Sequence, residues 1–428
     1  MTEQSKNSNL SAAKKAKNDE FYTQWGDIER EMNAYLEFDP EVFRDKVLLL
    51  PCDDPEWSNF AKFFALHFTE YGLKKLISTS YAPDSNTALP NYQPTLFELE
   101  SPSFDAKKTR TNGKKFVLER TDLNGDGRVD IDDLHWEYLE GDGDFRSDEV
   151  TALRDEADLV ITNPPFSLFR EFIDWLCAGN VKFSVIGGSN AVSYKEIFPL
   201  LKNNKLWIGK GFHKGDAYFR VPESAKTSYA DGVFNEDNNT VHFRNITWFT
   251  NIEHGRRHEP LELMTEADNI KFSKHKDVRG SGYRRYDNYD AIEVPRVDAI
   301  PDDYTGVMGV PVTFLDKYNP DQFEILGITD RQNEHGLKTR EYSKADSPKH
   351  NDLNRRGALR LPDGSLKAVY VRLLVRKRSE EIGNLRVVSG GSDGLEDISV
   401  ENTTAEIRLE KVTDELGNTH LVADGGQN

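Results

Sequence analysis

Two hydrophobic periods alternate along the first half of the chain. Phe21 to Leu36 is amphipathic at helical spacing. KVLLL, Lys46 to Leu50, is an unbroken apolar run stopped by Pro51 and predicts a buried strand. From about Ser58 to Tyr71 the apolar positions return to helical spacing, with Ser58 as the expected N-cap. LKKLISTSY, ending at Tyr81, predicts the next strand; residues 82–115 are irregular and rich in Pro, Ser and Asn. ADLVIT, Ala157 to Thr162, predicts a strand, and Phe169, Phe172, Ile173 and Leu176 then follow one helix face. KFSVIGG, Lys182 to Gly188, predicts a further strand, and YKEIFPLLKNN, Tyr194 to Asn204, a helix. Such alternation implies an α/β fold with a doubly wound, mostly parallel sheet. Beyond about Trp207 the pattern breaks into short strands and loops as far as Arg378, a β-rich region. The last fifty residues carry little periodicity and read as a weakly ordered tail or a small β appendage. No internal repeat is visible.

Composition adds three constraints. No apolar run approaches a membrane span, and the polar first nineteen residues read as a flexible arm without a signal core. Cys52 and Cys177 are too few for a disulfide framework or a cysteine zinc site, so a cytoplasmic protein is expected. The net charge of −18 argues at first against a nucleic-acid partner. Its distribution reverses that inference. Residues 117–158 hold 15 Asp/Glu against 4 Arg, and residues 379–428 hold 11 Asp/Glu against 3 Lys/Arg, which accounts for the whole excess. Residues 331–378 carry 13 Lys/Arg against 5 Asp/Glu, so a basic surface including Arg355, Arg356 and Arg360 is available to phosphates.

The chemistry centres on Asn163-Pro164-Pro165-Phe166, between the ADLVIT strand and its helix. Ligands of doubly wound sheets bind beyond the carboxyl ends of the strands, where this tetrapeptide sits. Two prolines stiffen the turn and remove its N–H donors, leaving carbonyl acceptors at fixed positions. Asn163 adds an amide oxygen and Phe166 a flat apolar face. Two acceptors beside a stacking surface suit the exocyclic amine of a nucleobase. Accepting from both its hydrogens localises the nitrogen lone pair for attack on a methyl group. That is catalysis by positioning and fixed dipoles, without metal. In duplex DNA the base must first be flipped out.

ITNPPF resembles the (D/N/S)PP(Y/F) motif of S-adenosylmethionine-dependent amino-methyltransferases. More specifically, the chain resembles the EcoRI-like adenine-specific DNA methyltransferases from about Phe21 to Leu326. The resemblance runs through FYTQ, PCDDPEWSNFAKFFALHF, GDGDFRSDE, ITNPPFSLFREFI, YKEIFPLLK, YDNYDAI and GVMGVPVTFLDKYNPDQFEILG. It implies a Rossmann-like methyltransferase core with S-adenosylmethionine as cofactor. It places Phe21, Tyr22 and Thr23 beside the methionine end of that cofactor, together with Asn163. It makes the turn Pro51, Asp53 and Asp54 the cofactor loop, with Asp53 on the cofactor's ammonium group and Asp54 either a ligand or an acidic start to the Ser58 helix. This turn departs from the usual glycine-rich form. The strand ending at Tyr81 has no acidic residue for the ribose, so a hydroxyl or Tyr81 is expected to substitute. Asp144 and Phe145 correspond to the pair that binds the cofactor adenine, and Trp248 and Phe249 either supply a second stacking face for the flipped base or are an ordinary pair of strand aromatics.

Two further stretches carry site expectations. His254 and His258 flank Arg256 and Arg257; without an HExxH pattern they are read as a phosphate-touching loop rather than a zinc site. Tyr283 to Tyr289 is a candidate DNA contact. In DLNGDGRVDIDD, residues Asp122, Asn124, Asp126, Arg128 (through its carbonyl), Asp130 and Asp133 follow EF-hand spacing, with Gly127 at the sharp turn. The same string also reads as an acidic turn without an ion. The expected organisation is an arm (1–19), a methyltransferase core (20–254) with a small EF-hand-like insertion (117–148), a target-recognition region (255–378) and an acidic tail (379–428). The expected activity is methyl transfer to the N6 amine of a flipped adenine in double-stranded DNA. Expected partners are DNA and a cognate restriction enzyme, with a monomer favoured and calcium as a structural ion. The rival readings are a cytosine-N4, RNA or protein amino-methyltransferase and an inactive DNA-binding relative.

Overall fold

In a computed structural model, the protein is described over residues 22–55, 58–85, 93–94, 98–99, 101–123, 125–212, 216–220, 234–235, 239–330 and 335–378, and over four short strands beyond 387. The element order is β1 (Tyr22–Thr23), α1 (Trp25–Phe38), β2 (Val47–Leu50), α2 (Asn59–Leu66), β3 (Lys75–Ser80), β4 (Lys114–Glu119) and β5 (His135–Tyr138). There follow α3 (Asp148–Glu156), β6 (Leu159–Thr162), α4 (Phe169–Gly179), β7 (Lys182–Gly188), α5 (Phe198–Lys202), β8 (Trp207–Ile208), β9 (Asp216–Arg220), β10 (Phe234–Asn235), β11 (Thr240–Arg244) and β12 (Ile246–Thr250).

Eight strands form the main sheet in the order β5-β4-β3-β2-β6-β7-β12-β8. The four central strands β3, β2, β6 and β7 run parallel, and antiparallel strands close both sides. From β2 the chain moves outward to β3 and later returns to β6 on the other flank. The crevice between the carboxyl ends of β2 and β6 is therefore the topological switch point where such sheets bind ligands.

Side-chain alternation shows why these runs are apolar throughout. Val47 and Leu49 of β2 enter one core with Val160 of β6 and the Phe172 face of α4. Leu48 and Leu50 enter the opposite core with Ile161 of β6, Met32 of α1 and Phe64 of α2. A strand covered on both faces needs hydrophobic residues at every position. Helix α2 starts where expected: the Ser58 side chain accepts from the Phe60 N–H. It ends at Leu66, short of Tyr71, and turns carry the chain on to Leu73. The helix expected over Tyr194–Asn204 shortens to α5 after a 3₁₀ segment, Ser189–Ser193.

The acidic stretch 117–148 is corrected in one respect. It is not an insertion outside the sheet: β4 and β5 pair from Lys114↔Tyr138 to Val117↔His135 and form its edge. Only the link between them matches the EF-hand-like spacing. Beyond β12, strands β13 (Arg284–Arg285), β14 (Ile292–Glu293), β15 (Met308–Pro311), β16 (Phe323–Ile328) and β19 (Arg372–Lys377) form a five-stranded sheet in the order β13-β14-β15-β19-β16. Between β16 and β19 lies the small hairpin β17 (Ala358–Arg360) and β18 (Leu366–Ala368). The apolar face of the five-stranded sheet merges with the first core through Met308, Phe314, Phe323 and Leu373, so residues up to Arg376 form one compact unit. Residues Lys377–Asn428 form a second unit, with two hairpins, Val388–Ser389 with Ile398–Ser399 and Leu409–Thr413 with Thr419–Ala423. No helix among the described residues is long and apolar enough to cross a membrane.

Candidate active site

Three loops meet at the switch point. The first leaves β2 as Pro51-Cys52-Asp53-Asp54-Pro55. Cys52 has φ of 68°, a left-handed conformation normally left to glycine. The turn thus adopts a glycine-like shape without a glycine, and its Cys52 N–H donates to Thr79 Oγ1 at the end of β3 (3.3 Å). Asp53 is buried. Its Oδ1 accepts from Ser58 Oγ (2.6 Å), its Oδ2 lies 2.6 Å from Thr162 Oγ1, and its carbonyl accepts from Ser78 Oγ. Burial pushes the Asp53 carboxyl up to about 7, against the lowering effect of these hydroxyls. Both carboxyl oxygens of Asp53, expected as the ammonium ligand, are thus hydrogen-bonded within the protein, one to Ser58 and one to Thr162. Asp54 is partly exposed beside it, and its carbonyl accepts from the Ser58 N–H in the turn that leads into the helix; Ser58, not Asp54, caps the helix, and no acidic residue lies in its first turn.

The second loop follows β6. Thr162 is fully buried, Asn163 and Pro165 are partly exposed, and Pro164 is buried. The Phe166 ring is 8% exposed and meets the edge of Phe219 at 6.4 Å. Phe219 belongs to β9, which pairs with β1 in the register Thr23↔Phe219. The Thr23 carbonyl in turn accepts from Asn59 Nδ2 in the first turn of α2 (2.7 Å). The Tyr22–Thr23 segment is thereby brought between the first loop and the Asn-Pro-Pro-Phe loop. Phe21 lies outside the described residues.

The third loop is Gly141 to Phe145. Gly143 has φ of 88°, and a Cβ there would lie 2.3 Å from the Ser80 carbonyl oxygen. Only glycine lets the loop rest on the end of β3 and set Asp144 near Tyr81. Burial pushes the Tyr81 phenol up, and Cys52 and Asp144 add to the shift. Asp144 is held in a fork by Arg146 (2.6 and 2.9 Å), which keeps its carboxyl below the usual range. Phe145 is fully buried against Phe172 and Trp175. That corrects its expected packing on a ligand ring; its burial anchors Asp144.

Residues 51–55, 58–59, 80–81, 144 and 162–166, drawn from four separate stretches of sequence, thus line the carboxyl ends of adjacent parallel strands. Carboxylates, a phenol and an amide there suit a ligand with an ammonium group, ribose hydroxyls and a base amine. A family model described as "Adenine-specific methyltransferase EcoRI" matches residues 9–378. The chain belongs to that family. Type II methyltransferase M.EcoRI of Escherichia coli is 40% identical over 327 residues, covering 76% of this chain and 90% of that protein. Type II methyltransferase M.MpnI of Mycoplasma pneumoniae is 34% identical over 379 residues, covering 86% and 98%. Type II methyltransferase M.MgeORF184P of Mycoplasma genitalium shares the same identity and coverage. No solved structure matches. The fold and these matches agree on an adenine-specific DNA methyltransferase whose donor is S-adenosylmethionine.

Several residues expected to touch DNA in this methyltransferase are structural. Trp248 and Phe249 are completely buried. β12 lies inside the sheet, so Trp248 packs on Phe60 and Phe212 on one face and Phe249 on Phe169 on the other. Neither offers a second stacking face. Arg257 is also buried: its guanidinium lies 3.8 Å over the Trp207 ring and pairs with Glu253 (2.5 Å). Arg256 donates to the Lys210 carbonyl (2.7 Å), and His254 is buried against the Ile208 carbonyl (3.0 Å). The 254–258 loop therefore fastens the end of the sheet. Tyr286 and Tyr289 are core residues. In the basic segment Arg355 is exposed, Arg356 lies 3.5 Å from Asp352, and Arg360 donates to Asp287 (2.9 Å).

Hydroxyls carry more of the site than the sequence suggests. Thr162 and Ser58 tie the loops together; both are visible in the sequence, one ending a strand and one capping a helix, but their shared partner is not. The cover of Phe166 by β9 has no local signal.

Proposed function

We propose that the chain methylates the exocyclic N6 amine of an adenine flipped out of double-stranded DNA, with the Asn163 side-chain oxygen and the Pro164 carbonyl accepting from that amine. The observation that carries this reading is the rigid acceptor loop at the switch point, beside a donor set that fits S-adenosylmethionine. When bound, the cofactor supplies an electrophilic methyl group. Asp54 would face its ammonium group, Tyr81 its ribose and Asp144 its adenine amine. Pro164 and Pro165 hold the two acceptors still, so little reorganisation accompanies the amine becoming tetrahedral. The flipped base would stack on Phe166, whose ring Phe219 of β9 adjoins. The exposed Arg355 with Arg356 and Arg360 would contact phosphates. A restriction enzyme reading the same site is the partner implied for a relative of type II methyltransferases. Methyl transfer to unmodified DNA followed by nucleoside mass spectrometry tests the reading: 6-methyladenine is expected, and 4-methylcytosine alone overturns it.

Within the same reading the Asp122–Asp133 loop takes a structural calcium ion. Support comes from its spacing and from Gly127, whose φ of 88° suits the sharp turn. The described carboxylates accept from their own loop, Asp122 from the Gly125 and Gly127 N–H groups and Asp133 from those of Leu123 and Asp130. Asn124 lies outside the described residues, and among those described no three His, Cys, Asp or Glu side chains gather as a metal group. Calcium is expected to raise the melting temperature and chelator to lower it. A calorimetric titration without heat, at calcium of order 1 mM, would leave a self-bonded acidic turn.

A further inference from the structure

The buried carboxyl of Asp53 lies at the switch point, and its surroundings impose a proton count. Thr162 Oγ1 lies 2.8 Å from the Pro51 carbonyl oxygen and 2.6 Å from Asp53 Oδ2. A threonine hydroxyl has one proton and cannot donate to both. Ser58 Oγ accepts from the Phe60 N–H (3.0 Å), and its own proton goes to Asp53 Oδ1 (2.6 Å). The arrangement closes if Asp53 carries a proton on Oδ2: Asp53 donates to Thr162, and Thr162 donates to Pro51. If Asp53 is ionised, Thr162 must donate to it, and the buried Pro51 carbonyl loses this donor.

We propose that Asp53 is a positioning residue, a carboxylic acid whose proton links the turn after β2 to Thr162, and through it to the neighbouring Asn163. This inference rests on the catalytic reading of Asn163. It replaces a ligand role with a mechanical one: Asp53 fixes the spacing between the cofactor turn and the acceptor loop. Burial and the Asp54 carboxylate on its own turn favour the neutral form, against the hydrogen bonds of Ser58 and Thr162, which favour the ionised one. The groups facing it from α2, β3 and β6 are the hydroxyls of Ser58, Ser78 and Thr162. Negative charge reaches it from Asp54 on its own turn, and the Cys52 thiol beside it faces Tyr81. Burial raises its carboxyl to about 7 in the same direction.

Asp53→Asn separates the two roles, because an amide donates to Thr162 and accepts from Ser58 as the acid does. The comparison uses the full chain, with S-adenosylhomocysteine as calorimetric probe and the ligand-free protein for melting. The variant is expected to bind the probe within about 3-fold of wild type, whereas loss of a direct charge-paired ligand would weaken it by roughly 10- to 100-fold. Its ligand-free melting temperature should gain on wild type as pH rises between about 4 and 7, since only wild type must hold a proton there. Thr162→Val should slow single-turnover methyl transfer by about 10-fold or more through misplacement of Asn163, and Thr162→Ser should restore it. A tenfold or greater loss of probe affinity in Asp53→Asn, or parallel melting curves across this pH range, overturns the proposal. Absence of 6-methyladenine from wild-type reactions would instead sink the catalytic reading and leave the melting comparison standing.

Discussion

Asn163 sits partly exposed at the end of β6 while its neighbour Thr162 is fully buried. The contrast separates chemistry from support at adjacent positions. Asn163→Ala is expected to cut methyl transfer by on the order of 10² or more with cofactor affinity nearly kept, because its acceptor matters most as the amine becomes tetrahedral. Rapid-quench single turnovers beside calorimetry will check this; unchanged turnover would sink the mechanism. Arg257 is predicted to behave in the opposite way. Buried against Trp207, it should cost about 2 kcal/mol of stability when replaced by Ala, mainly through the lost stacking on the indole, since Glu253 is partly exposed and solvent screens its charge. The salt dependence of DNA binding should not move. A slope that falls by nearly one would return Arg257 to the DNA interface.

At the scale of elements, β12 shows how a strand can look like a binding surface and be a core. Trp248→Ala is expected to cost about 3–5 kcal/mol, since the indole is completely buried between Phe60 and Phe212. Denaturant melts will measure it, and a loss under about 1 kcal/mol would mean that the ring does not sit in the core. The N-cap of α2 carries more than its helix. Ser58→Ala should exceed the roughly 1 kcal/mol typical of a lost cap, because it also strips a donor from buried Asp53.

For the whole molecule, stability should depend on pH through three buried groups. Burial raises Asp53 from 3.8 and Glu31 from 4.5, each to about 7, so the folded state holds more protons than the unfolded one across that interval. Their contribution is present below the unfolded values and is lost as pH rises towards 7. His254, lowered by burial to about 4, acts in reverse: its neutral form favours folding above 6.5, and that contribution is lost as pH falls towards 4. Two groups thus act against one, and these three together should make stability fall as pH rises from about 4.5 to 6.5, with the slope of roughly one proton. Glu31→Gln should flatten that slope in thermal melts, and His254→Gln should steepen it. The basic surface is tested by salt. Neutralising Arg355, Arg356 and Arg360 together should lower the log–log slope of DNA affinity by about 0.9 for each phosphate no longer neutralised. An identical slope would mean that DNA lies elsewhere.

The sequence by itself determined most of the sheet and the place of the proposed chemistry within it. β2, β3, β6 and β7 follow from apolar runs, because strands buried on both faces can tolerate little else, and Ser58 and the rigid Asn-Pro-Pro-Phe loop are local signals. Only the tertiary structure decided which side chains face a ligand. Trp248, Phe249, Phe145 and Arg257 have the composition of binding residues, but burial depends on what the fold lays over them. The outermost strand β5 hid in an acidic stretch because an edge needs only part of its surface apolar. The link from Asp53 to Thr162 joins residues 109 positions apart. No local pattern encodes it; it exists because two parallel strands end side by side at the point where the chain reverses its order.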